Sequence, residues 1–589
     1  MEMPNESSVK IERPKAPEST DVLSQQCNLQ QDSLSNRELE SDVQHVNKFK
    51  IALIIFALAM LMFLLGLDST IVSTAIPRIT DQFHAIGDVG WYASAYMLTF
   101  CALQLIWGKL YTFLSPKWTY LGALFIFELG SLICGVAPSS VVFITGRAIA
   151  GAGSGGGSAG SFLLVAHSVP QKYRPIMVGI ISSAFGLGSI AGPLLGGAFT
   201  DNSRLTWRWC FYINLPLGFV TAVVILLFIQ IKNKDKINAT SSTSSSNLSV
   251  RGQIKQMDLP GTVLLVPGIV CLLLALQWGG TKKEWNDGSI IALFVLTGIL
   301  LIGFITVQIL TKDQANVTIP LHVFRKRNVW ASALFGAGVL ASFFTMLYYI
   351  PIWFQAIKDA SAIKSGIMTL PTIISFVVAS TLGGTLTSIT GYYAPFAMLT
   401  VILMSTGTGL LTTLQVHTGA GKWIGYQILF GAGSGLGIQC SLTGAQTLPI
   451  ADVPIGTAII LFFENLTGAV MLSVAENVFT NRLVHNLRVY VPDAEAGIVS
   501  KMGVTEIRDR LPRKLYASVL VAYNAALTHT FYVGLGLACA AAVGAVCMRW
   551  DSVENRHPRE PPYESSKGVQ SPEGDHEKIE PAPEPMSQS

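Results

Sequence analysis

Fourteen long apolar runs dominate this sequence and leave few folds open to it. They cover about 50–75, 89–108, 118–137, 140–164, 176–199, 209–231, 258–278, 289–310, 329–355, 366–388, 394–415, 424–447, 456–478 and 527–548. A helix needs ~20 apolar residues to cross hydrocarbon. The chain is 50% hydrophobic and only 13% charged, with a mean hydropathy of +0.48, whereas soluble domains carry about 25% charged residues. The expectation is an all-α membrane protein with 14 transmembrane helices.

An even number of spans puts both termini on one side. Lys232, Lys234, Lys236, Arg251 and Lys255 lie in the connection 232–257, and Lys312, Arg325, Lys326 and Arg327 in 311–328. The opposite short loops are poor in basic residues, so these connections and both tails are placed in the cytosol. Residues 1–47 and 549–589 are polar and read as disordered tails, and 479–526 reads as a long extracellular loop. No signal peptide precedes the first span, which must itself act as the insertion signal. The glycosylation-type matches at Asn238, Asn247 and Asn316 then face the cytosol, and the one at Asn465 falls within a span. Seven of the eight cysteines lie in or beside apolar runs without metal spacing, and the histidines are scattered. No phosphate-binding loop string is present. These features indicate neither an enzyme nor a metal or organic cofactor, and the net charge of +4 is spread over loops rather than gathered for nucleic acid.

The chain repeats itself. Gly151 to Gly155 and Gly431 to Gly435 are the same pentapeptide, Gly-Ala-Gly-Ser-Gly, and Gly108-Lys109-Leu110 is echoed by Gly384-Thr385-Leu386. Setting aside two inserted spans (258–310) places these matches in register in two sets of six, 48–231 and 329–548. Two such bundles suit alternating access around a site at their interface.

Charge inside a span costs several kcal/mol, roughly 2.5–3.5 by insertion measurements. Asp68, Glu128, Arg147, Glu464 and Glu476 therefore need a reason. Asp68, Arg147 and Glu464 are the candidates for proton coupling; the plain alternative for each is helix packing. Glu476 sits near a span end within reach of water. The 280-residue offset of the repeat makes Gln427 the counterpart of Arg147, so one half carries a charge where the other carries an amide. Tyr96, Gln104, Tyr348, Tyr349, Trp353, Gln355 and Gln427 are candidates to line a cargo cavity. Gly188, Gly192 and Gly196 recur every fourth residue, on one helix face, with Pro193 and Gly197 among them. Such a face permits close helix approach, and Pro193 is expected to kink the helix.

These strings resemble a known family. Asp68-Ser69-Thr70-Ile71-Val72 with Pro77 is similar to the first-span signature of the fourteen-span drug/proton antiporters of the major facilitator superfamily. Arg147 to Gly155 resembles its span-four motif, and residues 186–197 its antiporter motif. Trp207 to Gly218 resembles a further signature, and Ala522-Tyr523-Asn524 the fungal branch that exports toxins and secondary metabolites. The loop motif is altered: its Asp is Thr112 in the first copy and Ser388 in the second, so the usual gating ion pair is unavailable. The resemblance implies a major facilitator fold and proton-driven efflux of small amphipathic organic compounds. It further implies a monomer in the lipid bilayer, in the plasma or the vacuolar membrane. Transport of siderophores or basic amino acids, or a nutrient sensor that transports nothing, are the alternatives.

Overall fold

The structure is a computed structural model and describes residues 48–85, 88–201, 205–229, 258–280, 283–311, 317–449, 451–490 and 513–550. The expected disordered tails (Arg549 and Trp550 apart), the connection 232–257, and Asn238, Asn247 and Asn316 lie outside these residues. The described part is helical, with a single isolated bridge between Gly279 and Lys283.

The long helices are α1 (Lys48–Phe83), α2 (Val89–Phe113), α3 (Pro116–Val136), α4 (Ser140–Ser168), α5 (Arg174–Asp201), α6 (Asn214–Phe228), α7 (Leu259–Trp278) and α8 (Gly288–Leu310). They continue with α9 (Arg327–Lys358), α10 (Ala362–Thr390), α11 (Ala394–Leu411), α12 (Ala420–Gln446), α13 (Val453–Tyr490) and α14 (Arg513–Cys547). Among the described residues, eleven helical segments are long and apolar enough to cross a membrane, fewer than the fourteen expected. The three that fall short are α2, α4 and α12, which are long but rich in Gly, Ser, Gln or aromatic hydroxyls. Residues 150–166 of α4 are buried almost throughout, so this helix faces protein rather than lipid and needs no apolar coat. The stretch read as a loop over 479–526 is helical at both ends, because α13 runs on to Tyr490 and α14 begins at Arg513.

The small-residue face of α5 lies on α1. A Cβ at Gly188 would strike the Phe63 carbonyl, at Gly192 the Thr70 hydroxyl and at Gly196 the Thr74 hydroxyl. Gly66 of α1 reciprocates against the Phe185 carbonyl. Gly197 has nothing within 4 Å of its would-be Cβ. Pro193 sits inside a helix that continues without a break to Asp201.

The internal repeat extends to atomic contacts. Gly151 of α4 abuts the Tyr96 carbonyl and Thr99 hydroxyl of α2; Gly431 of α12 abuts the Thr372 carbonyl and Ser375 hydroxyl of α10. Gly153 abuts the Phe127 backbone of α3, as Gly433 abuts that of Met404 in α11. Both sets of helices thus use glycine at the same turns to bring the fourth helix against the second and third.

The α7–α8 hairpin packs on α2 and α13. Its base is tied by Asp258, which precedes α7 in a left-handed conformation (φ 43°). The Asp258 carboxylate accepts from Gly261 N at 2.9 Å, Gln308 Nε2 at 2.7 Å, Thr318 N at 2.7 Å and Thr318 Oγ1 at 2.6 Å. Burial alone would raise its pKa, but these donors outweigh burial and hold it below the usual carboxylate range.

Candidate functional site

Asp68 on α1 and Arg147 on α4 are both buried, with 0% and 1% of their side-chain surfaces exposed. Their Oδ2 and Nη1 atoms are 2.6 Å apart. An unpaired ion at this depth is untenable, so each charge justifies the other. Arg147 Nε also donates to the Tyr92 carbonyl of α2 at 2.9 Å, Nη2 to the Asp68 carbonyl at 3.4 Å, and the guanidinium stacks 4.4 Å from the centre of the Tyr96 ring. The second Asp68 oxygen accepts from Asn214 Nδ2 of α6 at 3.4 Å, and the same amide lies 3.1 Å from Ser131 Oγ of α3. Sequence reasoning missed Asn214 and Ser131 as site residues, although Asn214 stands in an otherwise apolar stretch.

The repeat shows which part of this arrangement is shared. Gln427 Nε2 donates to the Met368 carbonyl of α10 at 3.1 Å, and its Oε1 accepts from Thr372 at 2.9 Å. Met368 stands in α10 where Tyr92 stands in α2, displaced by the same offset as Thr372 from Tyr96. A side-chain nitrogen of the fourth helix on a carbonyl of the second is therefore common to both sets; the carboxylate is particular to the first.

A small cavity of about 30 Å³, roughly the space of one water, lies between the two sets. Ser69, Tyr96 and Phe100 line it from the first set, and Phe344 and Asn465 from the second. Tyr96 thus joins the cavity to the ion pair. Glu464 belongs to a separate cluster, where Oε1 accepts from Ser441 Oγ at 2.6 Å and the carboxylate lies against Gly336.

The other cavity candidates lie elsewhere. Trp353 is fully buried and donates from Nε1 to Asn524 Oδ1 at 2.8 Å, joining α9 to α14. Gln355 Nε2 donates to Ser365 Oγ at 3.2 Å, joining α9 to α10. Tyr349 is buried among Tyr348 and Phe479. Tyr348 is largely exposed, Gln427 is engaged as described, and buried Gln104 lies beside Gly155 with neither amide atom hydrogen-bonded. Each of these side chains suits packing as well as lining, which their spacing along the chain does not distinguish.

The two sets close on each other at one end. Gly179 of α5 abuts the Ser380 carbonyl, and Gly384 of α10 the Pro175 carbonyl. Ser183 Oγ donates to the Val377 carbonyl at 3.2 Å, Gly108 abuts Ala458, and Gln446 Nε2 reaches the Phe162 carbonyl at 3.2 Å. Thr112 bonds within its own helix, to the Gly108 carbonyl, and the Ser388 hydroxyl is buried without a partner. Close contacts at small residues, with the Ser183 and Gln446 side chains, thus join the two sets at this end.

The family model of the Major Facilitator Superfamily matches residues 58–472. The chain is 48% identical over 515 residues to an MFS-type efflux pump of Trichophyton rubrum, covering 87% of this chain and 94% of the relative. It is 47% identical over 515 residues to the efflux pump aflT of Aspergillus parasiticus, covering 87% and 97%. Among solved structures, the proton:xylose symporter XylE shares the fold at 14% identity, with a TM-score of 0.55 over 86% of this chain and 99% of XylE. The chain belongs to the major facilitator superfamily and is similar within it to efflux pumps of fungi.

Proposed function

We propose that this protein exports small amphipathic organic compounds in exchange for protons, with Asp68 as the proton-binding group. The observation that carries this reading is the buried Asp68–Arg147 pair, joined by Tyr96 to a cavity between the two helix sets. The architecture we assign is fourteen spans: two bundles of six, α1–α6 and α9–α14, with α7–α8 inserted, both termini in the cytosol and the plasma membrane as the site of action. The closed end is then the cytosolic one. The relatives named as efflux pumps support the direction of transport.

A proton arriving from outside neutralises Asp68 and removes the Coulomb attraction that fixes Arg147. Arg147 keeps the Tyr92 carbonyl and the Tyr96 ring, so it is not left bare. The change at Tyr96 is felt at the cavity wall, between the two helix sets that move against each other. Each pH unit of gradient supplies about 1.4 kcal/mol per proton, enough to shift a two-state equilibrium tenfold.

The test uses purified protein in vesicles with ethidium as the probe cation. An imposed pH gradient should drive dye movement in the wild type and not in Asp68→Asn or Arg147→Ala. Dye flux indifferent to the gradient in the wild type would remove the antiport reading.

A further inference from the structure

Glu128 of α3 is the one intramembrane carboxylate that the mechanism above leaves unused in the first helix set. Both of its oxygens are buried and neither has a hydrogen-bond partner. Its carboxylate fills the space beside Gly218 of α6, where a Cβ would collide with it. Gly218 lies one turn beyond Asn214, and Ser131 lies one turn beyond Glu128, so the two helices set these four residues on facing turns. Asn214 bridges Ser131 and Asp68. A polar thread thus runs Arg147, Asp68, Asn214, Ser131, and Glu128 stands one helical turn from its end with no hydrogen bond to it.

The cations around α3 are already committed. Arg147 is paired with Asp68, Arg208 donates to the carbonyls of Gly135 and Ala137, and Lys117 donates to the Leu226 carbonyl. The other titratable groups packed nearby are Cys134 on α3 and Cys210 and Tyr212 in the turn before α6, none of which brings a positive charge. A carboxylate without a donor or a counter-ion does not stay ionised in such a setting. One cation neutralises one carboxylate, so the thread is balanced when Asp68 is ionised and Glu128 holds a proton.

We propose that Glu128 is the second station of a proton relay: when Asp68 takes up a proton, Glu128 gives one up. In this step an O–H bond forms on the Asp68 carboxyl and the O–H bond of Glu128 breaks. The released proton passes to water on the side then open. Arg147, no longer balanced by Asp68, is balanced by the Glu128 carboxylate, and the total charge of the thread is unchanged. The relay rests on the antiport reading, since Asp68 must be the group that protons reach.

The experiment is infrared difference spectroscopy on the full-length protein in nanodiscs across a pH series, which needs no cargo. The wild type should show a protonated-carboxyl band that Glu128→Gln removes and Glu128→Asp displaces. In Asp68→Asn that band should titrate about one pH unit or more toward acid, because the uncompensated Arg147 favours the ionised form. A merely structural proton would leave the band unchanged across the pH series in both proteins. The proposal is overturned if Glu128→Gln removes no band, or if the band titrates identically in wild type and Asp68→Asn. If dye flux in vesicles depends on protons and on Asp68 while the band fails this test, the relay alone falls. If flux ignores protons altogether, the antiport reading falls and takes the relay with it.

Discussion

Replacing Arg147 with Gln copies into the first helix set what the second already has at Gln427. The amide retains a donor for the Tyr92 carbonyl, as Gln427 serves Met368. What is lost is the attraction to Asp68. At an effective dielectric of roughly 20 and charge centres ~4 Å apart this is worth about 4 kcal/mol, in line with the 3–5 kcal/mol cost of breaking a buried pair from one side. The stranded carboxylate is relieved by taking up a proton, so the penalty should shrink by about 1.4 kcal/mol for each pH unit of acidification. Asp68→Asn alone strands the guanidinium, which retains a carbonyl and the Tyr96 ring, and should cost less. The double variant Asp68→Asn with Arg147→Gln has no net charge to bury. Its loss of stability should be smaller than the sum of the single losses by about 2–3 kcal/mol in a double-mutant cycle, while transport driven by a pH gradient stays absent. Denaturant unfolding of purified protein at pH 5 and pH 8, with dye flux measured alongside, reads all four corners. Additive losses that do not vary with pH would refute the reasoning.

Other expectations follow from packing and capping. Gly192→Ala should lower the thermal midpoint and the yield of folded protein, since its Cβ meets the Thr70 hydroxyl, whereas Gly197→Ala should leave both unchanged. Trp353→Phe should cost about 1–2 kcal/mol through the lost bond to Asn524 and leave the cargo profile of dye competition as it was. Asp258→Ala should free the base of the α7–α8 hairpin, measured as faster hydrogen exchange around Thr318. The Asp258 carboxyl is held below its ordinary pKa, so the stability it adds is present above that value and is lost as pH falls through the lowered one. The Asp258→Ala variant should therefore match the wild type in acid and differ from it near neutrality.

How much was legible in one dimension depended on the cost of error. Asp68 and Arg147 stood out because a charge in hydrocarbon demands a partner, and the structure supplies each as the other's. Asn214 and Ser131 complete the same cluster, but a neutral amide or hydroxyl in a span carries little penalty and so no signal. The stripe at Gly188, Gly192 and Gly196 was legible because only close backbone contact explains its spacing. Trp353 and Gln355 were not placed, because an aromatic or amide group serves a cavity and a helix contact equally well. Asn524, the partner of Trp353, comes from 171 residues away in the chain. The far end of α13 looked like a loop because Asn481, Arg482, His485 and Arg488 are polar; Leu483 and Leu487, which are buried, give that turn its packed face.

The central claim is that one buried ion pair ties proton movement to cargo movement. It is met most directly in vesicles loaded with ethidium and no imposed pH gradient, with a pH dye on the other side. Dye flowing down its own gradient should drive protons the opposite way in the wild type. In Asp68→Asn, dye-for-dye exchange should persist while proton movement ceases. Proton movement in Asp68→Asn equal to that of the wild type would contradict the account.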